Sequence, residues 1–351
     1  MTPMPMPMHA GSVPDVSIIV PMRDVAPFVR DTLGGLAVNI SAPGAPSTEV
    51  IAVDDGSTDD TSAILADAGA RFGWLTVVRH ETPAGLAGAR NAGLAVSSGR
   101  LITFLDGDDW YGRGYLAALV AAIDRSGVDF VRVGHVKTYG RQRRITMPPE
   151  PRRNVALDAR SGILPVEESS MVDYPYMWAG IYRRSLYDAG LLSCHEPLHT
   201  AEDRPWVWRL HREGGRYLVA DLHGVFYRRG VRAALTSVAD RRQLHYLDAF
   251  ELVFAELADD PDVSTLTPKA VRSFCAIAAH HLGQEDRLPA DLRAEHRARV
   301  GTALNSLPAA DVAAVLAAVD PKRAVLLSDA WQPRRGRTRT VGRRSPMKVR
   351  S

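Results

Sequence analysis

The strongest constraint on the fold is a repeated alternation between short apolar runs and segments with helical periodicity. The runs are rich in Val, Ile and Leu and are too short for helices, which is typical of strands buried on both faces. They span residues 16–21, 49–53, 75–79 and 101–105. Apolar residues recur at helical spacing between them, for example over 28–38 and 86–95. This alternation predicts right-handed crossovers and an α/β fold with a mostly parallel sheet covered by helices on both faces.

A change in composition near residue 238 suggests a second unit. From 238 to 330 the chain is dominated by Ala, Leu, Arg and Glu at helical spacing, which predicts a helical appendage. We expect its helices to break at five prolines, which are Pro261, Pro268, Pro289, Pro308 and Pro321. The predicted organisation is a disordered lead-in over 1–14, an α/β domain over 15–237, the appendage over 238–330 and a disordered basic tail over 331–351.

Charge is unevenly distributed along the chain. The last twenty residues hold eight basic residues and no acid, so the rest carries a formal charge of about −5 against +3 for the whole chain. Such a tail fits peripheral, salt-sensitive contact with anionic lipid headgroups, and a solvated tail without a partner fits equally well. The tail lacks interleaved aromatic residues and any motif that reads bases, so we expect no nucleic-acid partner.

Compartment signals point to the cytoplasm. Cys194 and Cys275 are the only cysteines, too few for a disulfide framework, which favours a reducing environment. The N-terminus lacks the basic and apolar regions of a signal peptide, and no run of about eighteen apolar residues occurs. We expect a cytoplasmic protein without a transmembrane helix, with contact at the inner face of the membrane through the tail.

The most distinctive segment is 104–110, in which Asp106, Asp108 and Asp109 follow a predicted buried strand directly. Carboxylates crowded in this way repel one another unless a cation neutralises them. Oxygen ligands suit Mg²⁺ or Mn²⁺, which could also bridge to a diphosphate. The alternative is a turn in which Asp108 or Asp109 begins the next helix.

A second acidic pair, Asp54 and Asp55, ends the strand at 49–53. Ligands of open α/β sheets bind at the carboxyl ends of strands, so we expect Asp54, Asp55, Asp106 and Asp108 to converge on one crevice. A carboxylate there could accept a hydrogen bond from a nucleobase. The alternative is an acidic turn hinged at Gly56.

Other segments carry weaker signals. Ser57 or Thr58 is expected to cap the helix that follows. Small residues over 83–93 surround Arg90, so a backbone could approach a ligand while Arg90 offers a charged fork.

We expect a loop or flap over 141–160 and two late strands over 217–220 and 224–227.

Taken together, the segments SIIVPMRD, EVIAVDDGSTDDT, GLAGARNAG and LITFLDGDDWY resemble family 2 glycosyltransferases in order and spacing. The resemblance covers roughly residues 15–235. It implies the GT-A fold, in which a Rossmann-like nucleotide-binding half is joined to an acceptor-binding half.

The resemblance also implies roles for individual residues. Asp55 would bind the uracil and Pro21 would line the nucleoside pocket. Asp106 and Asp108 form the Asp-x-Asp motif, with Asp108 the direct metal ligand and Asp106 nearer the ribose. Arg90 is assigned with them to nucleotide-sugar binding.

The acceptor side has counterparts in the resemblance as well. Asp203, in the acidic pair Glu202–Asp203, would be the general base, and Arg228 would clamp the diphosphate. From the residues alone, the first turn of a helix is the favoured interpretation of Glu202 and Asp203, since the helix dipole stabilises acidic residues there. His223 is a further candidate metal ligand, although a lone histidine is more often structural.

Two aromatic residues are further candidates, and one segment departs from the pattern of the family that the chain resembles. Tyr176 and Trp178 fit a sugar-stacking wall or ordinary core packing. The family commonly has an aromatic residue followed by Asn after the first strand, whereas Arg23 and Asp24 stand here.

The sequence therefore predicts an inverting, metal-dependent glycosyltransferase. It would move a sugar from a nucleotide-diphosphate donor, a UDP-sugar, to a saccharide or lipid-linked acceptor during cell-surface polysaccharide or glycoconjugate synthesis. One alternative is a catalytically inactive nucleotide-sugar-binding partner subunit. Another is a nucleotidyltransferase, although the Gly-rich basic N-terminal loop usual in that class is missing.

Overall fold

The computed structural model describes residues 12–230 and 239–331. The expected lead-in lies outside the described residues over 1–11, and the basic tail lies outside them from residue 332 onward. In the described part, one central sheet with flanking helices precedes a set of C-terminal helices.

The sheet is built from strands throughout the first 228 residues. Its strands are β1 (Val16–Met22), β2 (Thr48–Asp55), β3 (Leu75–His80), β4 (Leu101–Phe104), β5 (Trp110–Tyr111), β6 (Phe130–Tyr139), β7 (Gln142–Thr146), β8 (Leu157–Asp158), β9 (Gly180–Arg183) and β10 (Arg216–Arg228). The main path runs β3-β2-β1-β4-β9-β6-β10-β5, while β7 pairs with β6 and β8 with β10.

Strand direction places several loops at one edge of the sheet. β1, β2, β3 and β4 are parallel, as the apolar runs predict, and their registers pair Ile18 with Val50 and with Thr103. Beyond β4 the sheet is mixed, because β9 runs antiparallel to both β4 and β6. β6 therefore runs in the direction of β4, and β10 is parallel to β6. The carboxyl ends of β1, β2, β4, β6 and β10 share one edge.

Helices cover the sheet and form the C-terminal unit. They are α1 (Ala26–Ile40), α2 (Thr61–Arg71), α3 (Gly85–Val96), α4 (Tyr115–Ser126), α5 (Arg184–Asp188), α6 (Asp203–Glu213), α7 (His245–Ala258), α8 (Val263–Leu282), α9 (Ala290–Ser306), α10 (Ala309–Ala318) and α11 (Pro321–Ala330). α3 lies close on β1, since a Cβ added to Gly93 would meet the Ile19 Cγ2 at 2.5 Å. The predicted α/β fold with a helical appendage is confirmed.

Two helix predictions are wrong. Neither Ser57 nor Thr58 caps α2, because both lie in the turn before it: the Ser57 Oγ accepts from the Asp24 N–H, and the Thr58 N–H donates to the Asp24 Oδ1. Pro268 does not break a helix but lies inside α8. It falls in the second turn, where a missing N–H costs a single helical hydrogen bond.

Two strand predictions also need correction. The expected loop over 141–160 contains β7, which forms a hairpin with β6, and the short β8. Basic side chains concealed this hairpin because edge strands tolerate charge on both faces. The two expected late strands are one strand, β10, whose register with β6 shifts between Ala220 and Val225.

Within residues 12–230 and 239–331, no single helix has the length and apolar character needed to cross a membrane. α9 and α10 meet that requirement only as a pair, and the pair is bent by 115°.

The appendage is joined to the α/β domain by a buried lysine. The Lys269 side chain on α8 is fully buried, and its Nζ donates to the Asp173 Oδ2 and to the Glu168 carbonyl, each at 2.6 Å. Asp173 also accepts from the Ser273 hydroxyl at 2.9 Å. Burial lowers the pKa of Lys269, and the Asp173 carboxylate opposes that change.

We expect Lys269→Ala to lower the free energy of unfolding by about 3 kcal/mol, because the partly buried Asp173 carboxylate loses its counter-ion. Urea denaturation followed by circular dichroism measures the change. Lys322→Ala, at an exposed position on α11, is the control and should leave the midpoint unchanged. Equal midpoints for the two variants would contradict this account.

Candidate active site

The loop after β4 presents the Asp-x-Asp residues at the carboxyl edge of the sheet. Gly107 is required between them, since an added Cβ would lie 2.7 Å from the Met22 Cγ and 2.9 Å from the Pro21 carbonyl oxygen. This close approach of the loop to the end of β1 brings Pro21 beside the Asp106–Asp108 segment, although Pro21 itself is buried.

A buried arginine joins two acidic segments that are distant in sequence. Arg90 on α3 is 3% exposed. Its Nη2 lies 3.1 Å from the Asp106 Oδ1 and its Nη1 lies 2.7 Å from the Glu202 Oε1. The planar guanidinium presents separate nitrogens to the two carboxylates in fixed directions, whereas a lysine would have to reach both from a single nitrogen. Arg90 thus holds the segment before α6 against the loop after β4.

The acidic loop carries more negative charge than the protein neutralises. Burial, followed by repulsion from Asp106, raises the pKa of Asp108 to about 6. Burial also raises the pKa of Asp109 well above its usual range, and its Oδ2 is buried without a hydrogen-bond partner. A divalent cation fits this excess charge.

The protein alone supplies an incomplete metal site. Among the described residues, no group of three or more His, Cys, Asp or Glu side chains is arranged to hold a metal. One or two carboxylates completed by phosphate oxygens is a usual arrangement for Mg²⁺. Asp106 and Asp108 would therefore hold the ion together with a donor diphosphate. His223 is exposed and belongs to no such group.

Asp54 and Asp55 point to different partners, so the predicted convergence of four aspartates is wrong for Asp54. Alternation along β2 turns successive side chains to opposite faces. Asp54 contacts Ser62 on α2 and Arg79 on β3, and these contacts, together with the Ser57 N–H, offset burial and lower its pKa. Asp54 is thereby committed to the fold.

Asp55 faces the start of α3. Its Oδ1 accepts from the Ala84 N–H at 2.7 Å and lies 2.8 Å from the His80 Nδ1, while its Oδ2 accepts from the Gly85 N–H at 2.9 Å. Each carboxylate oxygen can accept two hydrogen bonds. Asp55 therefore shapes the loop before α3 and keeps acceptor capacity for a ligand on its Oδ2.

Asp203 is the first residue of α6, and the loop before it is held by the appendage. The His199 N–H donates to the His245 Nδ1 on α7 at 2.9 Å, and the Thr200 hydroxyl donates to the Arg242 carbonyl. Ala201 has φ +60°, a left-handed conformation that costs a non-glycine residue energy. Strain at this position is typical of a loop that orients a functional side chain.

The environment of Asp203 suits proton transfer. Its side chain is 28% exposed and lies 3.9 Å from the Arg204 Nε. Burial, together with repulsion from Glu202, raises the pKa of Asp203 above its ordinary value, against the attraction of Arg204. A carboxylate with a raised pKa is a better proton acceptor near neutral pH.

Arg228 lies beside the acidic loop but is engaged by the protein. Its guanidinium carbon is 4.7 Å from the ring centroids of both Phe28 and Trp110. The Arg228 backbone N–H donates to the Asp109 Oδ1 at 2.6 Å, and the side-chain Nε donates to the Asp108 carbonyl at 2.8 Å. Arg228 therefore braces the loop, and its role as a diphosphate clamp stays a prediction.

Asp24 is a structural residue whose contacts were not predicted. It has φ +51°, a conformation that Asp and Asn tolerate better than most residues, and it binds the turn at Ser57 and Thr58. Asp24 stands where the resemblance leads us to expect Asn, and it adopts a left-handed backbone conformation that both residues tolerate. Arg23 is half-exposed and lies 3.7 Å from the Asp24 carboxylate.

An aromatic group lies next to Arg90, whose Nη1 donates to the Met177 Sδ at 3.4 Å. The Trp178 ring centroid is 4.9 Å from that of Tyr176 and 5.1 Å from that of Tyr227. His135 packs against all three rings, at 5.0 to 5.9 Å. Trp178 is buried, whereas Tyr176 and Tyr227 are partly exposed, so core packing and a sugar-binding wall coexist in one group.

A sheet whose carboxyl edge bears an acidic Asp-x-Asp loop, facing a second acidic pair across a buried arginine, defines an α/β domain of the GT-A class. Comparison with known proteins agrees. Residues 17–189 match the model for glycosyl transferase family 2. About half of the chain is therefore similar to glycosyl transferase family 2.

Two relatives are similar to this chain over a larger part of its length. The chain is 30% identical to the uncharacterized glycosyltransferase EpsJ of Bacillus subtilis over 64% of each protein. It is 28% identical to the succinoglycan biosynthesis protein ExoU of Rhizobium meliloti over 73% of this chain and 75% of ExoU.

Two solved structures share the fold. Staphylococcus aureus TarS 1-349 in complex with UDP-GlcNAc superposes with a TM-score of 0.69 at 21% identity, over 90% of this chain and 87% of that one. The mannosyltransferase PcManGT of Pyrobaculum calidifontis, in complex with GDP-Man and Mn²⁺, gives a TM-score of 0.53 at 20% identity, over 91% and 86%.

We expect Arg90→Lys to lower the free energy of unfolding by about 1–3 kcal/mol, because an ammonium leaves one of the two carboxylates without its hydrogen bond. Urea denaturation tests this. Arg113→Lys is the matched control, since Arg113 is exposed and forms no ion pair with any described residue. The bridging role is refuted if both variants unfold at the wild-type midpoint.

Proposed function

We propose that this protein is an inverting glycosyltransferase. It transfers a sugar from a nucleotide-diphosphate donor, a UDP-sugar, to a saccharide or lipid-linked acceptor in cell-surface polysaccharide or glycoconjugate synthesis. The observation that carries the proposal is the Arg90 bridge, which brings the Glu202–Asp203 pair to the Asp106–Asp108 loop. The match to the family model and the similarity to a succinoglycan biosynthesis protein support the same function.

Asp203 acts as the general base in this proposal. An acceptor hydroxyl attacks the anomeric carbon from the face opposite the diphosphate, the bond to the diphosphate oxygen breaks, and Asp203 accepts the hydroxyl proton. The configuration inverts because attack occurs once, without a covalent intermediate. The raised pKa of Asp203 suits this role, and Glu202 is paired with Arg90 and therefore less available.

Asp106 and Asp108 would hold the donor diphosphate through a divalent cation. A bound Mn²⁺ or Mg²⁺ would stabilise the charge that develops on the departing diphosphate. Asp55 retains acceptor capacity for the uracil, and Pro21 borders the same edge. UDP-GlcNAc in TarS supports a UDP-linked donor, and Mn²⁺ in PcManGT supports a divalent metal.

We also propose a cytoplasmic location at the inner face of the membrane. The eight basic residues of the C-terminal tail would contact anionic headgroups, which suits a lipid-linked acceptor. The contact would weaken as ionic strength rises.

We expect Asp203→Asn to lower the transfer rate by about 10²- to 10⁴-fold, because the acceptor proton loses its base. UDP release from UDP-sugars with a panel of acceptors measures the rate, and donor affinity should be unchanged. Wild-type activity should fall with decreasing pH through the raised pKa of Asp203, at a pH well above its ordinary value of 3.8.

Asp259→Asn, at an exposed carboxylate on the appendage, is the control for both measurements. An Asp203→Asn variant that turns over at the wild-type rate would exclude Asp203 as the base. Failure of the wild type to release UDP in the presence of every acceptor, together with intact donor binding, would favour the inactive partner subunit.

We expect Asp108→Asn to weaken metal-dependent binding of UDP-GlcNAc by at least about tenfold, since the amide removes the charge that attracts the cation. Isothermal titration with Mn²⁺, and again with a chelator, measures the affinity. The chelator should weaken wild-type binding and have little further effect on the variant. Equal, metal-independent affinities for the two proteins would refute the metal role.

A further inference from the structure

The hairpin formed by β6 and β7 places two cations directly opposite each other. Lys137 and Arg144 are partners in the antiparallel register, so their side chains leave the same face of the sheet. Like charges in this position destabilise a hairpin unless an anion lies between them. Arg144 is exposed and Lys137 is partly exposed, so both can be reached from solvent.

A third cation, Arg229, follows the end of β10 on the same side. Its Nη1 donates to the Tyr227 hydroxyl at 2.8 Å, and Tyr227 pairs in register with Lys137. We call Lys137, Arg144 and Arg229 the cation rim.

Among the described residues, the rim has no counter-ion. No carboxylate there forms an ion pair with any of the three side chains. The undescribed segments 1–11, 231–238 and 332–351 contain no Asp or Glu. The rim is therefore available to an anion from outside the chain.

The rim borders the aromatic group beside Arg90. Side chains two residues apart on a strand share a face, so His135 and Lys137 point the same way, and His135 packs against Tyr176, Trp178 and Tyr227. We call these three rings the aromatic floor. Tyr176 and Tyr227 are partly exposed and supply its accessible face, while the buried Trp178 packs against Tyr227 with ring centroids 5.1 Å apart.

The floor contacts both the segment of the proposed base and the rim. Met177, between Tyr176 and Trp178, accepts at its Sδ from the Arg90 Nη1 at 3.4 Å, and the same Nη1 donates to Glu202, the neighbour of Asp203. The guanidinium carbon of Arg229 lies 5.2 Å from the Tyr227 ring centroid. Trp110, Phe226 and Arg228 form a separate group beside the acidic loop and take no part in this surface.

We propose that the aromatic floor and the cation rim form the acceptor subsite, and that its acceptor is a saccharide bearing an anionic group. The sugar face would stack on the floor with its hydroxyl toward Asp203, and a phosphate or carboxylate on that sugar would bind between Lys137, Arg144 and Arg229. Both anions share the required chemistry, an oxyanion next to a sugar ring. This inference rests on the proposed function.

Matched pairs of saccharides test the preference. N-acetylglucosamine 1-phosphate is compared with N-acetylglucosamine, and galacturonic acid with galactose, by titration of the full chain in the presence of UDP and Mn²⁺. We expect the charged member of at least one pair to bind about tenfold tighter or more, which corresponds to about 1.4 kcal/mol. The pair that responds distinguishes a phosphate-bearing from a carboxylate-bearing acceptor.

Variants assign that preference to the rim. Lys137→Gln and Arg144→Gln should each reduce it several-fold without changing the affinity for the neutral sugars. Arg141→Gln is the control, since Arg141 is an equally exposed arginine at the tip of the same hairpin and outside the rim. Equal effects of all three variants would overturn the assignment.

A charge reversal separates binding from folding. Arg144→Glu creates an opposite-charge pair with Lys137, so the melting temperature should rise while the preference for the charged sugar is lost. A purely structural role for Arg144 predicts a lower melting temperature and weaker binding of charged and neutral sugars alike.

Two further outcomes would overturn the inference. One is equal binding of the charged and neutral members in both pairs. The other is binding of inorganic phosphate as tightly as the sugar phosphate, which would leave the aromatic floor without a role. These are equilibrium binding measurements, so their results can be interpreted even if no transfer is observed. UDP release with a neutral acceptor alone would support the proposed function and reject an anionic acceptor.

Discussion

The double ion pair of Arg90 is the interaction on which the arrangement of the site depends. It crosses from the Asp-x-Asp loop to the segment before α6; the contact with Glu202 is shielded from water, while Asp106 is partly exposed. A buried cation between two carboxylates is stabilising only when both remain ionised and well oriented. The fold therefore constrains the distance between the donor-side carboxylates and the proposed base. The proposed inverting displacement depends on that distance, because the acceptor must reach the anomeric carbon from the face opposite the diphosphate.

Much of this architecture was accessible from the sequence. Buried parallel strands produce uninterrupted apolar runs, so β1 to β4 could be placed within one or two residues, and the carboxylates that follow them could be assigned to one edge. The helical appendage was visible in composition and periodicity. The Asp-x-Asp motif carried a strong signal because three carboxylates so close together need a cation or a special environment.

The remainder depends on contacts between distant segments. Nothing local distinguishes Asp54 from Asp55, and only strand alternation within the sheet sends them to opposite faces. Arg90 could be taken for a ligand-binding residue because its partners lie 16 and 112 positions away. Arg228 looked free for the same reason, although two aromatic rings enclose it. The β6–β7 hairpin was hidden because its exposed edge strand lacks an apolar face.

The hydrogen bonds from His199 and Thr200 to the appendage have a consequence for modular organisation. The segment that positions Asp203 belongs to the α/β domain in sequence, yet its conformation is stabilised in part by residues that follow position 238. A fragment ending at that boundary would keep every proposed catalytic carboxylate while losing part of what orients one of them. Exchanging the C-terminal helices for those of a relative would therefore change the support of the segment that carries the proposed base.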